Sequence, residues 1–176
     1  MKYVGFIKEL DNVSFAKDFK NYFTSANRDN LDILKYLDKG ISFGGWMSYV
    51  SEVEDIDISI APFEYFTDGE WIWPVYFPYY LKKYKNFYIP IEFIEYVARN
   101  KEKQVHFTEK ELVKFENNFF RERKQYEEES ELDNLSQIMN NENQPYKTYK
   151  GKNYTEEEWK VLEEKLYQEY LKKRGK

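Results

Sequence analysis

Residues 63–74 read FEYFTDGEWIWP. Two short runs rich in aromatic residues flank Thr-Asp-Gly, a pattern that predicts a β-hairpin turning at Asp68-Gly69. Gly69 is the residue that reaches positive φ without a Cβ penalty. Alternation along the second arm puts Trp71 and Trp73 on one side and Ile72 on the other. Tryptophans bury large areas, so this pair predicts core rather than a binding platform. Pro74 lacks the amide needed to extend the arm. A chain with this hairpin has to cover a sheet with something, and the flanking sequence offers helices.

Phe15, Phe19 and Phe23 fall at i, i+4 and i+8, which predicts a helix over 14–23 capped by Ser14 or Asn12. Leu31, Leu34 and Leu37 predict a second helix over 28–40, with Gly40 as a left-handed C-cap. Pro78 and Pro90 each sit where a first helical residue is expected, predicting helices over 78–86 and 90–100. In the second of these, Ile91, Ile94 and Val97 or Ala98 face inward. Two capping boxes follow, Thr108 with Glu111 and Thr155 with Glu158, each with a staple: Phe107 with Leu112 and Tyr154 with Trp159. Residues 2–9, KYVGFIKE, read as a strand, and so does DIDISI over 55–60. In the latter, Ile56, Ile58 and Ile60 alternate with Asp55, Asp57 and Ser59, predicting a half-buried strand with an acidic outer face. The fold class expected is α+β: a small, mainly antiparallel sheet covered by helices, with a C-terminal helical extension. The expected domains are a globular body over 1–130, a polar, Asn-rich linker over 131–153 and a C-terminal helix over 154–176.

Charge narrows the function. From Gly40 to Leu81 there is no Lys, Arg or His, while Glu52, Glu54, Asp55, Asp57, Glu64, Asp68 and Glu70 all lie in that window. A one-signed block in a mixed chain projects a negative field that repels nucleic acid and attracts a basic partner or a cation. Lys82, Lys83 and Lys85 follow the window, and Lys172, Lys173 and Arg174 suit the end of a helix, so no basic stripe for nucleic acid forms. The 176 residues contain no cysteine, which excludes disulfides, thiolate chemistry and Cys-ligated zinc. No apolar run reaches membrane-span length and the N-terminus lacks a secretory h-region, so a cytoplasmic protein with no membrane association is expected.

Catalytic signatures are scarce. His106 is the lone histidine, with no nucleophile or orienting acid indicated beside it. Gly44-Gly45 reads as a turn or close backbone approach rather than a phosphate cradle. No dinucleotide, P-loop, nucleophile-elbow or zincin motif is present. Asp55 and Asp57, two apart on one strand face, have the hard oxygen ligands that Mg²⁺ or Ca²⁺ takes, so a divalent-metal-dependent hydrolase stays open as an alternative. No cofactor is expected.

Thr67, Asp68, Gly69, Trp71, Trp73, Pro74, Tyr79, Tyr80, Leu81, Lys83 and Tyr84 form a TDGxWxWP…YYLxKY block. This block resembles small bacterial immunity proteins encoded beside polymorphic or contact-dependent toxins. The similarity covers about residues 1–100 and is strongest over 58–97; the chain from about 101 on falls outside it. The resemblance implies a non-catalytic protein that binds and inhibits a cognate toxin. The residue pattern agrees, because an acidic, aromatic-rich window suits a basic partner such as a nuclease. The expected contact residues are Glu52, Glu54, Asp55, Asp57, Glu64, Asp68 and Glu70, with Trp46 and Tyr65. A regulatory or phage-related interaction module is a further alternative, and oligomeric state is left open.

Overall fold

A computed structural model describes residues 1–140, 147–149 and 152–173. The fold is α+β, and the chain divides into two compact units, Met1–Lys124 and Gln125–Lys176.

The first unit is built on a four-stranded sheet of β1 (Lys2–Tyr3), β2 (Ile41–Ser51), β3 (Ser59–Thr67) and β4 (Trp71–Pro74). Its spatial order is β1-β4-β3-β2, so β2 lies on an edge. β1 pairs with β4 in parallel; the other pairings are antiparallel. The hairpin expected at Asp68-Gly69 joins β3 to β4, and Gly69 has φ 89°. The Thr67 hydroxyl accepts the Gly69 N–H at 2.9 Å and donates to the Trp71 carbonyl at 2.8 Å, which closes the turn. Trp71, Ile72 and Trp73 are all buried, because helices cover the β4 segment that the alternation left one-sided.

α1 (Leu31–Leu37), α2 (Tyr76–Lys83) and α3 (Ile91–Arg99) follow the expected order. Their buried faces differ in detail from the leucine and isoleucine stripes. In α1 the buried residues are Ile33, Tyr36 and Leu37, and Leu31 is exposed; in α3 they are Phe93, Tyr96 and Val97, and Ile91 is exposed. The aromatic rings, with more area to remove from water, take the inner positions. Pro78 sits at the third residue of α2 and Pro90 precedes α3. Gly40 is not left-handed: among the described residues, Gly5 and Gly69 are the glycines with positive φ. What Gly40 requires is space: a Cβ there would lie 2.2 Å from the Trp73 ring.

Two expected elements are replaced. The helix over 14–23 is only a 3-10 turn at Phe19–Tyr22, flanked by bridges Ile7↔Lys17 and Phe23↔Phe87. The three phenylalanines are used instead in separate ring contacts: Phe15 with Tyr3, Phe19 with Tyr80, and Phe23 with Tyr84. The strand over 2–9 is limited to Lys2–Tyr3, because Gly5 turns the chain at φ 78° against the Phe77 ring. The core gathers Ile7, Trp73, Tyr76, Phe77, Tyr80 and Phe93, all nearly inaccessible.

α4 (Glu109–Asn140) starts at the expected capping box: the Thr108 N–H and hydroxyl donate to Glu111 Oε2, and the Glu111 N–H returns to Thr108 Oγ1. It continues through Asn140, ten residues into the segment read as linker. In the first unit it contributes Phe115, Phe119 and Phe120, whose rings meet Phe43 and Trp46 of β2. The second unit holds the rest of α4, a hairpin of β5 (Lys147–Tyr149) and β6 (Lys152–Tyr154), and α5 (Glu156–Lys173). The Thr155–Glu158 box caps α5, and Tyr154 packs its ring on Trp159 as the staple. Lys173 reaches Glu131 at 2.6 Å, tying the end of α5 to α4. The remainder of the linker segment lies outside the described residues.

Candidate partner-binding surface

The acidic window divides according to where the fold places each carboxylate. Asp68 is buried at the β3–β4 turn, where Oδ1 accepts the Glu70 and Trp71 N–H groups at 2.9 and 2.7 Å and Oδ2 accepts the Tyr36 hydroxyl. Burial and this contact with Asp68 push the Tyr36 hydroxyl well above the ordinary tyrosine range. Glu70 is exposed and paired with Lys2 at 2.6 Å. Glu52 is 4% exposed and accepts from Lys83 Nζ at 2.7 Å and from the Tyr79 hydroxyl. The Lys83 hydrogen bond, helped by Tyr79, holds the Glu52 carboxyl below its ordinary value, and Glu52 raises Lys83 in return. Glu54 takes Lys83 at 3.4 Å and the Tyr84 hydroxyl. Glu64 is half-buried in β3, 3.5 Å from the Ser42 hydroxyl. Lysines remote in sequence therefore neutralise much of a window that has none of its own.

Asp55 and Asp57 remain exposed. DIDISI is not a strand over its whole length: residues 52–58 form the turn joining β2 to β3, and only Ser59 and Ile60 enter β3. Asp55 caps this turn. Its Oδ1 accepts the Asp57 N–H at 3.1 Å and its carbonyl accepts the Ile58 N–H at 3.1 Å, an Asx turn that competes with strand pairing. Ile56 and Ile58 consequently point to solvent, with exposures of 81% and 43%. Among the described residues neither aspartate has a cation partner, and no group of three or more His, Asp or Glu side chains gathers as a metal site.

The arm leading to this tip is irregular for a physical reason. Gly45 pairs with Glu64 and Tyr49 with Pro62, so residues 46–48 oppose Phe63 alone. Gly45 approaches β3 so closely that a Cβ would meet the Phe63 carbonyl oxygen at 2.1 Å, and Pro62 has no N–H to offer. The resulting bulge turns Met47 and Tyr49 outward, and Met47 is fully exposed. Of the turn and the close backbone approach that the sequence left open, Gly45 makes the close approach, while Gly44 faces the Phe120 ring.

Trp46, half-exposed on the same strand, rests edge-on against Phe63, Tyr65 and Phe120 at centroid separations of 5.0, 5.6 and 5.6 Å. The Arg123 guanidinium lies 4.8 Å from its ring centre. Arg123 belongs to a buried network: it donates to Asp11 Oδ1 at 2.7 Å and to the Tyr65 hydroxyl at 2.9 Å, while Tyr65 and Tyr76 both donate to Asp11. Desolvation pushes the Asp11 carboxyl up, and Arg123 opposes it. Tyr65 is fully buried, so it supports Trp46 from beneath and does not reach the surface.

Of the residues expected at the contact face, Trp46 is exposed along the β2–β3 hairpin, Asp55 and Asp57 are exposed at its tip, and Glu64 is half-buried in β3. Glu52, Asp68 and Tyr65 lie inside; Glu54 and Glu70 are paired at the surface. Sequence reasoning missed Met47, Tyr49, Ile56 and Ile58. The available signal was Asp-x-Asp, an Asx-turn pattern that outweighs isoleucine alternation. His106 is exposed in the segment between α3 and α4. Among the described residues no helix is long and apolar enough to cross a membrane. No family model matches the chain, and no significant match was found among curated proteins or solved structures.

Proposed function

We propose that the protein is a non-catalytic, immunity-type inhibitor that binds a basic toxin through the β2–β3 hairpin. The observation that carries this reading is the composition of that hairpin. Trp46, Met47, Tyr49, Ile56 and Ile58 are all exposed on it, and so are Asp55 and Asp57 at its tip, which lack cation partners among the described residues. Scattered apolar residues on a surface are ordinary, but several along one hairpin mark an interaction site. Aromatic and Met anchors flanked by acids suit a basic protein surface: the apolar residues supply affinity and the aspartates steer association. The buried Asp11–Tyr65–Arg123 network beneath Trp46 holds that anchor in place, which lowers the ordering cost of binding.

The reading expects a basic toxin domain to be encoded beside this gene, and the test is inhibition of that domain by this protein. Stoichiometric addition of the protein should abolish the toxin's activity. Asp55→Lys with Asp57→Lys should weaken binding and slow association by roughly tenfold or more, with circular dichroism unchanged. A toxin domain that stays fully active would remove the inhibitor reading, and unchanged affinity in the double variant would remove the assigned face.

A further inference from the structure

A second unpartnered patch lies where α1 and α2 meet. There the segment before α1 and the end of α2 enclose an open groove of about 670 Å³. Leu34 and Leu81 form its floor and Leu31, 52% exposed, its apolar lip. Arg28, Lys82 and Lys85 line the rim, all exposed and without a carboxylate partner among the described residues. One acid, Asp29, also lines it, but its carboxylate accepts the Leu31 N–H at 3.1 Å. The groove is therefore cationic over an apolar base.

The β2–β3 tip is its complement: Asp55 and Asp57 alternating with the exposed Ile56 and Ile58. We propose that the tip of one copy docks in the groove of a second copy, forming a two-fold dimer. Opposite charges and matching apolar residues meet in both directions, as an isologous interface requires. The placement of the patches favours closure over an open chain. Glu52 and Glu54, at the base of the tip, are held by Lys83 of α2. Lys82 is the preceding residue of the same helix, about 100° around its axis, and lines the groove. Tip and groove thus flank the end of α2, and a two-fold axis beside that helix brings each tip to the other copy's groove. A basic partner and a second copy would compete for one tip, but the dimer does not depend on the partner's existence.

Sedimentation velocity on the full chain over a range of concentrations at low ionic strength tests this. Wild type should show a monomer–dimer equilibrium that weakens with salt. Asp55→Lys/Asp57→Lys makes both patches positive, and Lys82→Glu/Lys85→Glu makes both negative. Each variant alone should associate about tenfold more weakly or worse, and an equimolar mixture should recover dimers, since both contacts are then complementary. All the substituted residues are exposed, so circular dichroism should show both variants folded. A wild type that stays monomeric at every concentration overturns the proposal. So does a dimer indifferent to both variants, or a mixture that remains monomeric.

Discussion

At the residue scale the decisive group is Asp11, fully buried and reached by Arg123 from a position 112 residues away. A buried ion pair gains little over an apolar replacement, yet losing one member strands the other charge. Arg123→Leu should therefore lower stability by about 3–5 kcal/mol. Asp11→Asn with Arg123→Leu should cost clearly less than the sum of the two single changes. Chemical denaturation of the four proteins measures this cycle; additive losses would show that the pair does not act as a unit. Neither partner was legible in the sequence. Asp11 reads as an ordinary loop acid, and Arg123 as a solvated residue in a charged helix. Gly45 was partly legible, as a close approach, but its neighbour Phe63 was not.

At the element scale, helices with explicit start signals appear where expected. Thr108–Glu111 and Thr155–Glu158 act within a few residues of chain, and so does the Thr67–Gly69 turn. Elements inferred from periodicity alone were less secure. The Phe15, Phe19 and Phe23 spacing fits a helix, but those rings find better partners one by one in the aromatic core. The Ile56–Ile58–Ile60 alternation fits a strand, but Asp55 captures its own backbone and ends the pairing. Lys83 then joins the base of the β2–β3 tip to α2 through Glu52. Because the folded Glu52 carboxyl titrates below its ordinary value of 4.5, its stabilising contribution is complete above that pH and is lost as pH falls through the depressed value. Glu52→Gln should be less stable than wild type at neutral pH, and the difference should shrink well below pH 4.5. Urea unfolding midpoints at the two pH values give the answer; a gap that stays constant would show that the Glu52 charge is not what holds the tip.

At the scale of the whole molecule, the chain forms two units that divide inside α4, at Lys124. The buried cluster built on Trp73, Tyr76, Tyr80 and Phe93 ends at Val97, and Phe119 and Arg123 complete the first unit. A fragment of residues 1–124 should thus keep a cooperative unfolding transition and the near-ultraviolet circular dichroism of its packed aromatics. A fragment without that signal would show that the second unit is needed to order the first. Sequence by itself determined the α+β class, the Asp68-Gly69 hairpin, the burial of Trp71 and Trp73 and both capping boxes. Each depends on local backbone chemistry or on side chains too large to leave in water. Tertiary structure alone decided which acids stay available. The window from Gly40 to Leu81 has seven acids and no cation. Folding brings Lys2 to Glu70, Lys83 to Glu52 and Glu54, and Lys103 to within 4.0 Å of Asp68, and it half-buries Glu64, leaving Asp55 and Asp57 exposed at the tip without cation partners among the described residues. Charge neutralisation acts over ångströms in space rather than along the chain, so a run of like charges in sequence did not foretell a like-charged surface.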